Sequence, residues 1–222
     1  MSEFKLIKVK EGILSENDKK AGDLRQKLKK ENKYLINLMA SPGAGKTSSI
    51  LKIAQNLNKN IRLAVIEADI DSSVDAEKMS ENNISTVQLS TGGFCHLDAE
   101  MVIQGLEEVV KENPDLIIIE NVGNLVCPAE FDTGAHSNIM ILSVPEGDDK
   151  PLKYPLIFSV CELLIVNKTD MIELTDFNLE ELEKRAKKVN PKIEIIPVSA
   201  KTGKGFEKVA SWIEQKIQKT RG

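Results

Sequence analysis

The stretch Leu38–Ile50, LMASPGAGKTSSI, decides how the rest of the chain is read. A phosphate-binding loop has the pattern G-x-x-x-x-G-K-S/T, and Gly45, Lys46 and Thr47 fall in register with its end. Ala40 stands where the pattern has its first glycine. The strand-like run YLINLMA (34–40) precedes the loop and a helix-like segment from Thr47 to Asn58 follows it. Strand, loop and helix in that order separate a phosphate loop from a chance spacing. Glycines let the backbone curl so that successive N–H groups point at phosphate oxygens, and the helix N-terminus adds its dipole. In this register Pro42, Gly43, Ala44, Gly45 and Ser48 line the loop. Lys46 is expected to reach the β- and γ-phosphates, and the Thr47 hydroxyl to ligate Mg²⁺. A positive φ at position 40 would cost alanine about 1 kcal/mol or more. We expect that the position needs only a small residue, because the other elements of a nucleotide site are present.

Further along, apolar runs recur at 61–67, 85–90, 116–120, 138–144, 162–168 and 193–199. Helix-like segments separate most of them, at 72–82, 97–112, 178–189 and 205–218. Near-continuous Ile, Val and Leu strands alternating with helices predict an α/β fold of three layers, a P-loop NTPase fold whose mostly parallel central sheet is flanked by helices. Ligands of such sheets sit outside the carboxyl ends of the strands. Residues 34–222 are read as one nucleotide-binding domain and residues 1–33 as an N-terminal extension. Within that extension, Ser15-Glu16-Asn17-Asp18 looks like a helix cap, and Leu24 and Leu28 give the helix after it a thin apolar stripe.

The bulk properties exclude several classes of function. The 222 residues are 41% hydrophobic and 29% charged, the balance of a globular chain. A net charge of −4 gives no basic face for nucleic acid or an anionic membrane. No apolar run approaches the ~20 residues that span a bilayer, and the charged start is unlike a signal peptide, so a cytoplasmic protein is expected. Three cysteines in such a chain argue against a disulfide framework. Cys95 and His96 are adjacent, and Cys127 lies in a different segment. Cys161 sits in a hydrophobic segment and is expected in the core, and His136, just before a strand, is expected to hydrogen-bond in its loop.

Asn167-Lys168-Thr169-Asp170 closes the strand 162–168. This N-K-x-D pattern resembles the guanine-reading motif of GTPases. A carboxylate at Asp170 can accept two hydrogen bonds from the N1–H and 2-amino group of guanine, an edge that adenine lacks. Lys168 is expected to lie along the base plane and Asn167 to tie the loop together. Ser199-Ala200-Lys201, after the last strand, resembles the backbone contact to guanine O6. Two base-reading segments in the right order favour GTP and GDP over adenine nucleotides.

A Ras-like D-x-x-G is absent. The third motif here is DLIIIENVG (115–123), which places Glu120 at the strand end with no glutamine after it. After the second strand come Glu67, Asp69, Asp71 and Asp75. Carboxylates beside a triphosphate are suited to hold Mg²⁺ directly or through its waters, so Asp69, Asp75 and Glu120 join Thr47 as candidate Mg²⁺ ligands. Lys46, Asp69 and Glu120 are the candidate catalytic residues.

The segments SPGAGKT, IEADIDSSVDAEKM, TGGFCHLDA, ENVGNLVCPAEFDTG and NKTD together resemble one family, the HypB GTPases that insert nickel during maturation of nickel-iron hydrogenases. They span residues 41 to 170, and CHLDA with ENVGNLVCP is far more specific than the phosphate loop alone. The resemblance implies a dimerising P-loop GTPase that binds Ni²⁺ or Zn²⁺ through Cys95, His96 and Cys127. It also implies a GTP-promoted homodimer that works with the hydrogenase large subunit and other maturation factors. The first 94 residues hold no Cys and no His, so the N-terminal nickel motifs of some family members are missing.

Thiolate and imidazole suit Zn²⁺, Ni²⁺ or Cu ions, and three ligands leave a fourth position for water or a second chain. Cys127 lies seven residues past Glu120, in the segment expected to sense the γ-phosphate. GTP binding is therefore expected to order residues 120 to 130 and move Cys127 relative to Cys95 and His96. Without a glutamine or an evident arginine finger, slow intrinsic turnover is expected. One alternative is the GTPase of urease activation, whose compact Cys-Pro-His differs from Cys127-Pro128-Ala129 here. Another is a metal-binding scaffold that uses GTP only to set its shape.

Overall fold

The computed structural model of the chain describes residues 9–69 and 74–221. In chain order the elements are α1 (Val9–Lys30), β1 (Tyr34–Ala40), α2 (Lys46–Asn56), β2 (Leu63–Asp69), α3 (Val74–Glu81), β3 (Ser85–Ser90) and α4 (Ala99–Val109). They continue as β4 (Leu116–Glu120), α5 (Cys127–Glu130), β5 (Ser137–Ser143), α6 (Lys150–Lys153), α7 (Pro155–Val160), β6 (Leu163–Asn167), α8 (Leu179–Val189), β7 (Glu194–Pro197) and α9 (Phe206–Arg221). The expected strands are all found, their bounds shifted by at most a few residues.

Seven strands pair in the order β3-β2-β4-β1-β5-β6-β7. Every pairing is parallel. Parallel strands have both faces covered, which is why β1, β4 and β6 are buried along their whole length and read as near-continuous apolar runs. Alternate side chains divide the core. Ile36, Leu38, Ile118 and Ile141 face α2 and α9, packing on Ile50, Ile53, Phe206 and Ile213. On the other face Leu35, Ile66, Ile117 and Ile119 meet Leu24 and Leu28 of α1 and Val102 and Leu106 of α4. Beside them, Met39, Met140, Leu142 and Leu164 meet Phe158 of α7 and Leu182 of α8. The result is the three-layer P-loop NTPase architecture, with β1 at its centre between β4 and β5. The direction of winding reverses at β1, so the carboxyl end of this strand opens onto the crevice where such folds take ligands.

Two local readings change. Helix α1 is already formed at Val9, so the cap-like Ser15–Asp18 lies inside it, and the buried Asn17 side chain bonds to other segments instead of capping its own helix. The short helices α5, α6 and α7 were not expected. Each has proline in its first turn, where the missing N–H costs nothing. Among the described residues no helix is long and apolar enough to cross a membrane.

Candidate functional site

The phosphate-loop residues leave the end of β1 and enter α2 at Lys46. Gly43 and Gly45 carry the positive φ angles of the loop, +74° and +96°. Ala40 does not: it is the last residue of β1, fully buried, in parallel register with Ile141. A small side chain in regular strand geometry is all that position asks for, so alanine there leaves the loop intact. Gly45 has a second reason to be glycine, since a Cβ there would lie 2.6 Å from Nδ2 of Asn167. Pro42 is held from the other side by Gly123, where a Cβ would come within 3.0 Å of the proline ring.

The candidate base-reading residues meet this loop directly. Asn167 Nδ2 donates to the Ala44 carbonyl (3.0 Å), and its Oδ1 accepts from the backbone N–H of Lys168 (2.7 Å) and of Ala200 (3.0 Å). Lys168 sits in the left-handed region, φ +62°, and its Nζ donates to the Gly43 carbonyl (2.8 Å). Ser199 Oγ donates to Asp170 Oδ1 at 2.6 Å, and this bond holds the Asp170 carboxyl below the usual carboxylate range. Asp170 and Lys201 are exposed, so an ionised carboxylate faces outward from a loop whose backbone is fixed. Buried Asn167 thus joins the phosphate loop, the N-K-x-D turn and the Ser199–Lys201 turn into one unit.

Glu120 ends β4, is 4% exposed, and accepts a hydrogen bond from Thr47 Oγ1 at 2.9 Å. A hydroxyl and a carboxylate at that separation are hard oxygen donors of the kind Mg²⁺ requires, so the residues present fit such an ion. Asp69 closes β2 and Asp75 lies in α3, but their side chains, like Asp71 as a whole, lie outside the described residues. In register beside Glu120 is Glu67, also buried, a carboxylate weaker on sequence grounds because it sits inside an apolar strand. Sequence reading also missed a buried ladder beneath the loop. Asn121 Nδ2 donates to Asn37 Oδ1 (2.9 Å), and Asn37 Nδ2 donates to Asn138 Oδ1 (3.0 Å). The available signal was one amide within or directly beside each of three apolar runs. Ser41 was missed as well: its hydroxyl bonds the Glu146 carboxylate, which also caps the turn after β5 through Ser143.

The soft-ligand residues lie on two loops past the carboxyl ends of β3 and β4. Cys95 is exposed, and Cys127 opens α5 half-buried. The neighbouring Cys127 thiol pushes the Cys95 thiol up from its ordinary value. Cys95 Sγ lies 3.7 Å from His96 Nδ1. The His96 ring stacks on Phe131, just past α5, with centroids 3.8 Å apart at 18°. Partial burial lowers the His96 pKa and so favours the neutral imidazole that a metal needs. Among the described residues, no group of three or more His, Cys, Asp or Glu side chains is arranged to hold an ion by itself. Phe94 and Val126, each beside one of the cysteines, are 56% and 47% exposed. Cys161 is buried, and burial pushes its thiol far up. His136 lies under α1, its Nδ1 accepting from Leu35 N–H (3.1 Å) and its ring stacked on Tyr34.

Comparison with known proteins adds to this geometry. Residues 34–197 match the family model described as CobW/HypB/UreG, nucleotide-binding domain. The hydrogenase maturation factor HypB of Rhizobium leguminosarum bv. viciae is 41% identical over 214 residues, 96% of this chain and 72% of that protein. The crystal structure of HypB from Helicobacter pylori in complex with nickel superimposes with a TM-score of 0.87 at 36% identity, covering 93% of this chain and 97% of that one. The structure of HypB from Archaeoglobus fulgidus gives a TM-score of 0.85 at 35% identity over 92% of this chain and 100% of that one.

Proposed function

The chain belongs to the CobW/HypB/UreG family, in its HypB branch of hydrogenase maturation factors, and from that premise we propose that it is a GTP-hydrolysing metallochaperone that helps insert nickel into a hydrogenase. One observation carries the reading. Cys127, whose thiol neighbours that of Cys95, lies seven positions past Glu120, which accepts a hydrogen bond from the phosphate-loop Thr47. A change at the γ-phosphate therefore has a short covalent route to a thiol.

Residues 34–222 form the G domain on this reading, and residues 1–33 an extension whose helix packs on it. Asp170 and the Ser199–Lys201 turn select guanine, and Lys46 neutralises phosphate charge. Thr47 and Glu120, with Asp69 and Asp75, hold Mg²⁺, which when bound supplies Lewis-acid stabilisation of the phosphoryl group. Ni²⁺ is the cargo, and Zn²⁺ suits the same thiol and imidazole donors. Cys95, His96 and Cys127 offer at most three donors per chain, which leaves a fourth position for water or for a second copy in a GTP-promoted homodimer. Such a chain works in the cytoplasm beside the hydrogenase large subunit and other maturation factors. Slow phosphate release from GTP, rising with protein concentration, is the expected behaviour. A Cys127→Ala protein is expected to lose nickel binding and keep GDP binding. No phosphate release over hours, with or without metal, would instead make the protein a scaffold.

A further inference from the structure

The two loops that carry the soft ligands do more than touch through the His96–Phe131 stack. Both are also held from α1, which lies far along the sequence from either. Asn17, 8% exposed, spans them with one amide: its Oδ1 accepts from Ala99 N–H at 2.9 Å, and its Nδ2 donates to the Asp132 carbonyl at 2.9 Å. Ala99 is the first residue of α4, three past His96. Asp98, the N-cap of that helix, bonds Met101 N–H, so Asn17 supplies from α1 a second partner for the exposed N–H groups of the helix end. Asp132 follows Phe131, the ring on which His96 stacks, and lies five residues past Cys127.

Other α1 residues fix the same second loop. Arg25 forks onto the Asp132 carboxylate at 2.6 and 2.8 Å and donates through Nε to the Ala135 carbonyl at 2.7 Å. Gly134, with φ +78°, lets Leu24 approach so closely that a Cβ would sit 2.7 Å from it. Arg25 secures the Cys127 side alone, whereas Asn17 ties that side to the His96 side.

We propose that Asn17 is a positioning residue of the metal site, setting the separation of the Cys95–His96 loop and the Cys127 loop so that less chain must be ordered when a metal ion binds. The inference rests on the metal reading above. Its energetic basis is preorganisation: groups that orient ligands through a second layer of hydrogen bonds typically change metal affinity by about 10- to 100-fold when removed. The sequence looked there like a helix cap, but α1 runs through it, which frees the amide for this longer-range task.

The test titrates Ni²⁺ and, separately, GDP into the full chain as wild type, Asn17→Ala, Asn17→Asp, Asn190→Ala and Cys127→Ala. Asn190 is a matched control, because its amide bonds the carbonyls of Phe158 and Cys161 (3.1 and 2.9 Å) away from both sites. Asn17→Ala is expected to weaken nickel binding about tenfold or more with GDP affinity unchanged. Asn17→Asp, which keeps the acceptor for Ala99 and loses the donor to Asp132, is expected to fall between, and it serves where the alanine variant does not fold. Asn190→Ala is expected to bind nickel as wild type does. Thiol-dependent nickel binding that is equal in wild type and Asn17→Ala would overturn the inference and leave the metal reading standing. Nickel and GDP affinities that fall together would also overturn it, as a loss of general stability. Wild-type nickel binding that Cys127→Ala does not alter would remove the metal reading, and the inference with it.

Discussion

Replacing Gly45 by alanine tests whether the phosphate loop and the base-reading loop are one mechanical unit. The backbone at this position has φ +96°, which costs a residue bearing a Cβ about 1–2 kcal/mol. The new methyl would lie 2.6 Å from Asn167 Nδ2, so the amide must move. Its bonds to the Ala44 carbonyl and the Ala200 N–H, both 3.0 Å, are then lost or strained. At about 1 kcal/mol for each bond, the total destabilisation is about 3–4 kcal/mol. Gly43→Ala is the comparison: φ is +74° and nothing lies within 4 Å of an added Cβ, so about 1 kcal/mol of backbone strain is expected. Denaturant unfolding of the nucleotide-free proteins measures both, and a GDP titration should show at least about tenfold weaker binding for Gly45→Ala. Equal destabilisation by the two substitutions, or a Gly45→Ala protein within about 1 kcal/mol of wild type, would refute the coupling through Asn167.

Three further outcomes follow from the site and the core. Glu120→Gln keeps the shape of the Thr47 contact but removes its charge, so phosphate release should slow about 100-fold while GDP affinity stays within about threefold. His136 is held neutral, its pKa lowered to about 4 by burial and then by the nearby Arg25 charge. The unfolded chain takes up that proton near pH 6.5, so stability should fall as pH drops from about 6.5 to about 4. After allowance for partial exposure the loss is on the order of 1–2 kcal/mol, and His136→Gln should flatten the slope in pH-dependent unfolding. With a maleimide, exposed Cys95 should label fast in the native protein and buried Cys161 only on unfolding; equal rates would contradict the burial assigned to Cys161.

The strands were legible because a parallel sheet buries both faces, so the runs at 34–40 and 116–120 are almost wholly apolar. The helices α5, α6 and α7 were not, because four to six residues are too few to display a 3.6-residue period. Asn17 shows a different limit. Ser, Asn and Asp near a helix start look alike whether they cap that helix or reach another segment, and only packing decides. The asparagine ladder Asn121–Asn37–Asn138 was hidden for a similar reason: Asn37 and Asn138 meet only when β1 pairs with β5, and Asn121 reaches Asn37 from just past the end of β4. Ala40 reversed its meaning on the structure, from a missing glycine to a strand residue whose φ is ordinary.

Titration of Ni²⁺ into the GDP form and into a non-hydrolysable GTP-analogue form of one preparation shows whether the nucleotide gates the metal site. The dissociation constants are expected to differ by about tenfold or more, with nickel shifting the nucleotide affinity by the same factor, as linkage requires. Equal nickel affinity in the two forms would contradict that gating.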